Sequence, residues 1–382
     1  MIAQSCMDIS LASPLLGGLS PQVFMRRHWQ KKPLVVRQAV AGGIDLVSRA
    51  DLLALAGHDD VESRLIVHRD RRWTLRTGPI SRSAMPPFKQ PGWTLLVQGV
   101  DLYLPAARAL LDRFRFVPDA RLDDLMVSFA TDGGGVGPHV DSYDVFLLQA
   151  RGRRRWRLGR VGRPELVPDV PLKILANFEP EQEFLLEPGD MLYLPPGWAH
   201  DGVADGECIT CSIGFRAAGR DELARDVVQR ALDAADPDAR GPLYRDPSLQ
   251  ATTEPGRIPA ALQAFAADAV ARWAADSDAL ACALGEVLSE PKRGVWFDDI
   301  EPAARGPGGL RLDQRTRALY DERHVFINGE SFRASGRDAR LMRRLADRRV
   351  LTGAEVAALS EGARGLLDDW LADGWLRNAD DT

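Results

Sequence analysis

Between about residues 90 and 216 the chain is a succession of short β-rich runs: TLLVQGV, LMVSFAT, YDVFLLQA, RRRWRLG, EFLLEPGDMLYLP and CITCSIGFR, separated by glycine and proline. The ninety or so residues before them are mixed, with a capped helix predicted over 48–56 and strands at RLIVH and RWTLR. After Arg216 the period changes. GRDELARDVVQRALDAA reads as an amphipathic helix, and IPAALQAFAADAVARWAADSDALACALGEVLSE as one or two more. Between these lies the Pro- and Gly-rich ADPDARGPLYRDPSLQATTEPG, and Pro291 ends the helical block. EPAARGPGG follows, and the last seventy or so residues read strand, turn, strand, helix, helix, strand, with a hairpin signature at Asn328-Gly329. The order suggests a winged-helix-like module. The expected division is therefore 1–216, 217–290 and 291–382 in an α+β chain.

Composition excludes several classes. A chain of 382 residues has room for two to three domains, 45% of it is hydrophobic, and no run approaches the ~20 apolar residues of a membrane span. No basic residue precedes Arg26, which makes the start a poor secretory signal. Cys6, Cys208, Cys211 and Cys282 are too few for a disulfide framework, so a reducing cytoplasm is expected. The net charge of −5 argues against nonspecific nucleic-acid binding. Arginine outnumbers lysine 44 to 5, a bias that fits a GC-rich genome better than a function.

The chemistry concentrates in GGGVGPHVDSYDVFLLQARGRRRWRLG. His139 and Asp141 stand two apart and share one side of a strand. An imidazole and a carboxylate on one wall are two-thirds of a facial triad for non-haem Fe(II). His200, delivered by PGDMLYLPPGWAH, supplies a third ligand. A lone H-x-D is weak; followed by G-D-x-x-x-x-P-P-G-x-x-H, with strands between, it is strong. Zinc or manganese in a plain cupin is the main rival metal reading.

Period two on RGRRRWRL puts Arg151, Arg153, Arg155 and Arg157 on one face and Arg154 among Gly152, Trp156 and Leu158 on the other. A lone cation facing a barrel interior needs an anion, and a dicarboxylate co-substrate would supply it. In DDLMVSFA, Asp124, Met126 and Ser128 share a face that resembles pocket lining. Tyr143 continues the His139/Asp141 face. Ser128, with Thr210 or Ser212, offers hydroxyls to a carboxylate. Cys208 and Cys211 match C-x-x-C but fall on opposite strand faces, against a shared zinc.

The run DDLMVSFATDGGGVGPHVDSYDVFLLQARGRRRWRLG, the PGDMLYLPPGWAH element, SIGFRA and the early FMRRHWQKKPLVVRQA resemble the bacterial ribosomal oxygenases. These are Jumonji-C-type oxygenases that hydroxylate an arginine of a large-subunit ribosomal protein. The resemblance implies a double-stranded β-helix (cupin/Jumonji-C) barrel, a helical dimerisation region and a winged-helix-like domain. It implies Fe(II) on His139, Asp141 and His200, and O2 and 2-oxoglutarate as co-substrates, the latter held by Arg154 and Ser128. It also implies a substrate-arginine pocket of Asp124, Met126, Tyr143 and Ser212, with protein number sixteen of the large subunit as the expected target and a protein-arginine 3-hydroxylase as the activity. A homodimer in the cytoplasm, without membrane or direct nucleic-acid binding, is expected. The competing reading is a cupin-type metal sensor coupled to a winged-helix nucleic-acid-binding domain; a histone-type demethylase is a rival of the same class.

Overall fold

The structure, a computed structural model, describes residues 8–70, 72–234, 242–297 and 304–379. Cys6 and parts of both Pro/Gly-rich connections lie outside the described residues. Ten strands form one antiparallel sheet: β1 (Leu34–Val36), β2 (Ser63–Arg69), β3 (Arg72–Thr77), β4 (Trp93–Val97), β5 (Leu122–Ala130), β6 (His139–Val140), β7 (Asp144–Arg160), β8 (Gln182–Leu186), β9 (Met191–Leu194) and β10 (Trp198–Phe215). Their order is β1-β9-β7-β10-β5-β4-β2-β3, with β6 on β10 and β8 on β7. The long strands β7 and β10 pair along most of their length. Helices α1 (Pro21–Arg27), α2 (Arg49–Leu55) and α3 (Pro105–Asp112) belong to the same barrel domain. Ser48 and Asp51 form a reciprocal capping box at α2, as the sequence suggested.

Strand alternation sorts the side chains. On β5, Leu125, Val127 and Phe129 enter a core that also holds Phe24 of α1, Leu110 and Leu111 of α3, Phe146, Leu148 and Phe215. Burying each of these larger side chains contributes roughly 1.5–3 kcal/mol. Asp124, Met126 and Ser128 take the other face. On β7, Val145 and Leu147 share a second cluster with Trp156 and Leu158, so the inward parity changes from odd to even along the strand. The change occurs at a bulge, where the register with β10 shifts between Ile209 and Thr210. Gly152 makes it possible: its φ is +63°, and a Cβ there would lie 2.1 Å from the Glu207 carbonyl oxygen.

Beyond the barrel stand α4 (Arg220–Asp233), α5 (Ala260–Ala274) and α6 (Ser277–Ser289). The C-terminal module contains β11 (Leu310–Leu312), β12 (Ala318–Tyr320), β13 (His324–Ile327), β14 (Glu330–Arg333), α7 (Gly336–Arg348), β15 (Val350–Leu351), α8 (Gly353–Ala357), α9 (Glu361–Ala372) and β16 (Leu376–Asn378). Two three-stranded sheets, β15-β11-β16 and β12-β13-β14, enclose Leu345, Leu367 and Trp370 with α7 and α9. The β13–β14 turn falls at Asn328-Gly329, both at positive φ. α6 packs on this hairpin so closely that a Cβ at Gly285 would meet the Phe326 ring at 2.2 Å. The last predicted helix thus lies on the C-terminal module while α5 carries no buried residue.

The module is bound to the barrel by specific contacts. Gln314 donates to the Leu102 carbonyl at 2.6 Å and Arg317 to that of Leu122 at 2.8 Å. Lys292, in the segment after α6, reaches Asp123 and Asp124 at 3.1 and 2.9 Å. Among the described residues, no helix is long and apolar enough to cross a membrane.

Candidate metal centre

Sheet register builds the centre. β6 pairs antiparallel with β10 so that His139 lies opposite His200, and Asp141 follows two residues later. The ring centroids of the two histidines are 4.2 Å apart. Asp141 Oδ1 is 3.8 Å from His139 Nε2, and its Oδ2 is 3.6 Å from His200 Nε2. All three residues offer ligand atoms within 4.8 Å of one another. Metal–ligand bonds near 2.1 Å at right angles would put neighbouring ligand atoms about 3 Å apart. Sub-ångström to ångström inward movements therefore suffice.

Each histidine is already oriented. Nδ1 of His139 faces the Gly137 carbonyl at 2.9 Å and Nδ1 of His200 that of Trp198 at 3.0 Å. A carbonyl accepts only from N–H, so each proton sits on Nδ1 and the Nε2 lone pair is presented to an ion. Burial, then neighbouring His139, push the pKa of His200 down to about 4, which leaves its imidazole neutral at pH 7. Two neutral nitrogens and one carboxylate on a single wall fit a divalent ion with a facial set of ligands.

Arg154 stands beside this centre. It is 5% exposed, and its Nη1 donates to Ser128 Oγ at 3.2 Å. Its Nε and Nη2 are buried without a partner, and no acid pairs with it among the described residues. Three outward arginines of the same strand are paired: Arg153 with Asp205, Arg155 with Glu183 and Arg157 with Asp201. The Trp156 ring lies 5.7 Å from the Arg154 guanidinium and 5.9 Å from the His200 ring, joining the cation to the metal ligands. Trp156 Nε1 and Thr94 Oγ1 are also buried without partners. Thr94 lies opposite Ala130 on the Ser128 side of β5. Sequence reasoning missed it, because only the pairing of β4 with β5 reveals that it belongs to this wall.

The remaining predicted residues divide. Ser212 lies across from Met126 on the inner wall. Tyr143 is partly exposed, and desolvation, then the Asp141 charge, raise its pKa, so its hydroxyl stays protonated. Of the two hydroxyls offered beside Ser128, that of Thr210 already donates to Gln149 Oε1 at 3.0 Å, both residues fully buried. Asp124 is on the inner wall, but its Oδ2 already accepts from Gly99 N–H at 2.8 Å and from Lys292 Nζ at 2.9 Å. Lys292 was invisible to local pattern reading. Cys208 packs with Ala130 and Ala204, whereas Cys211 is in the core on the opposite face.

Comparison with known families and proteins gives a consistent result. Residues 109–223 match the JmjC domain and residues 272–377 the ROXA-like winged helix. The chain is 40% identical over 240 residues to the "Ribosomal protein uL16 3-hydroxylase" of Escherichia coli (strain K12), covering 62% of this chain and 62% of that relative, less than two thirds of its length. It is 29% identical over 409 residues to the "Probable ribosomal oxygenase" of Haemophilus influenzae, covering 98% and 99% of the two chains. Among solved structures, that of E. coli ycfD superposes with a TM-score of 0.82 at 30% identity, over 94% of this chain and 98% of that one. The structure of YcfD in complex with cobalt and 2-oxoglutarate superposes with a TM-score of 0.78 at 30% identity and the same coverage.

Proposed function

The chain belongs to the Jumonji-C ribosomal oxygenases, and from that premise we propose that it hydroxylates an arginine side chain of the large-subunit ribosomal protein uL16. It is an Fe(II)- and 2-oxoglutarate-dependent dioxygenase that releases succinate and carbon dioxide. The observation that carries this reading is Arg154, a buried guanidinium with no acid among the described residues, beside the histidine–carboxylate wall. A lone buried cation is costly, and a dicarboxylate is the partner that removes the cost.

His139, Asp141 and His200 would hold the iron. When bound, that centre supplies an O2-derived oxidant that turns a C–H bond of the substrate into C–OH while 2-oxoglutarate becomes succinate and carbon dioxide. The chain's own work is positioning. Arg154 anchors the far carboxylate of 2-oxoglutarate, with Ser128 steadying Nη1 and the unpaired Trp156 Nε1 and Thr94 Oγ1 available on the same wall. Asp124 receives the substrate guanidinium, and Met126, Tyr143 and Ser212 line its path.

The finer assembly follows from exposed surface. Ile258, Leu262, Phe265 and Val270 on and beside α5 are exposed. An apolar helix without a buried residue supports a homodimer through this region. Leu284 and Val287 of α6 are half-buried on the chain's own surfaces, so the interface centres on α5. A cytoplasmic, ribosome-directed role fits the substrate. Arg343 and Arg344 of α7 are tied to the Glu322 carbonyl and to Glu355, and the net charge of −5 does not favour a DNA reader.

The test is succinate release with Fe(II) and 2-oxoglutarate, with and without a uL16 peptide. Release that depends on the target arginine supports the reading; release indifferent to every peptide sinks it.

A further inference from the structure

Asp124 is held by an unusual set of partners. It projects from the inner wall of β5, yet its donors gather on one oxygen. Oδ2 accepts from Gly99 N–H at 2.8 Å and from Lys292 Nζ at 2.9 Å. With the Gln98 amide in the orientation that satisfies both its ends, its nitrogen also donates to Oδ2 at 3.3 Å, and its oxygen accepts from Arg64. Oδ1 faces Gly214, whose Cβ, were there one, would lie 3.8 Å away. Gly214 follows Ser212 on the inner face of β10, so the missing side chain leaves room beside the oxygen that has no such donors.

Lys292 comes from the segment joining α6 to the C-terminal module, 168 positions from Asp124. Its ammonium also touches Asp123 at 3.1 Å. In a chain with 44 arginines and 5 lysines, this place is taken by a lysine. The distinction matters: an ammonium is a compact point charge that can sit on one carboxylate oxygen, whereas a guanidinium would fork across both.

We propose that Lys292 is a positioning residue for the substrate arginine: by occupying Oδ2 it keeps Asp124 charged and leaves Oδ1 to face the incoming guanidinium. This rests on the reading of Asp124 as the substrate's carboxylate. The charged groups around Asp124 oppose one another. Asp123 on its own strand, buried Asp101 at 101 and, farther off, Asp141 beyond Tyr143 are acidic; Lys292, Arg64 through Gln98, and Arg216 and Arg317 beside Asp123 are basic. Burial, together with Asp123, raises the pKa of Asp124, and Lys292 with the Gly99 N–H counters that rise. Without Lys292 the carboxyl would take up a proton nearer neutrality, and a protonated carboxyl accepts a guanidinium fork poorly.

The test is the affinity of full-length protein, loaded anaerobically with Mn(II) and 2-oxoglutarate, for a uL16 arginine peptide between pH 6 and 9. Lys292→Met should move the acid limb of binding upward by about one pH unit, so that the deficit is largest at pH 6, approaching about tenfold, and closes toward pH 9. Asp123→Asn, at a partly exposed site, removes a like charge and should move the acid limb the other way, which keeps the proposal testable if Lys292→Met folds poorly. A deficit in Lys292→Met that is equal at every pH, tighter binding, or no displacement in Asp123→Asn overturns it. Asp124→Asn separates the two claims. If it loses the peptide while Lys292→Met and Asp123→Asn bind as wild type at all pH values, Asp124 stands and Lys292 is idle; if Asp124→Asn binds as wild type, the Asp124 reading itself falls.

Discussion

On the outer face of β7, Arg153, Arg155 and Arg157 each meet an acid; on the inner face, Arg154 meets none among the described residues. The four side chains share a strand, a residue type and nearly a position. What separates them is burial and the absence of a partner. In a chain so rich in arginine, abundance carries no information about function, whereas a guanidinium withdrawn from water and left incomplete marks where an anion belongs.

The comparison can be broken most severely at the metal ligands beside Arg154. Asp141→Ala should reduce peptide-dependent succinate formation to the uncatalysed background. The melting temperature of the metal-free protein should stay within about 2 °C of wild type, because Asp141 is only partly buried and anchors no core.

Next comes the inner cation itself. Arg154→Met should raise the KM for 2-oxoglutarate by about a hundredfold, as expected for loss of a charge-assisted pair worth about 3 kcal/mol. Without co-substrate its melting temperature should hold or rise, since the variant removes an unpaired buried charge. A large drop in stability would instead mark a structural cation.

On the outer face the effects should be on stability, and smaller. Arg157→Met leaves Asp201, whose side chain is 4% exposed, without its cation and should cost about 1–3 kcal/mol. Arg153→Met and Arg155→Met, whose ion pairs are about half exposed, should cost at most about 1 kcal/mol. Denaturant unfolding measures the first quantity, and an unchanged KM for 2-oxoglutarate in all three completes the contrast.

A fourth prediction uses pH. Burial, then the Asp124 charge, push the pKa of Asp101 up to about 6 from a carboxylate's ordinary 3.8. A raised acid pKa means that the native state binds the proton more tightly than the unfolded chain. The cost of charging Asp101 therefore develops as pH rises from about 4 through 6 and is complete above. Asp101→Asn keeps the acceptor for the Leu125 N–H and should raise the melting temperature by about 2 °C or more above pH 6, with the gain shrinking toward pH 4. Melting curves from pH 4 to 8 check the sign.

Both faces of β5 and β7 were legible in the sequence because alternation is a local property: residues two apart point the same way whatever the rest of the chain does. The ligand set was legible for a related reason, a paired spacing at 139 and 141 and a distinctive turn before His200. What escaped is non-local. Thr94 joins the inner wall only through β4–β5 pairing, and Lys292 meets Asp124 only because the C-terminal module docks beside β5. Thr210 had the correct parity, but its hydroxyl is spent on Gln149, a partner that strand period cannot name. The inward parity of β7 switches at Gly152, so a single alternation could not have been extended from Val145 to Leu158 without the bulge.

The central claim is that the unpaired inner wall is an oxygenase site acting on uL16. The most direct measurement is the intact mass of ribosomal uL16 from cells with and without this protein, and with the Arg154→Met variant in its place. The account predicts a gain of about 16 Da, one oxygen atom in a C–H bond, in the wild type, localised to an arginine, absent without the protein and strongly reduced in Arg154→Met. An unmodified uL16 in wild-type cells, or a gain that persists undiminished without the protein, would contradict it.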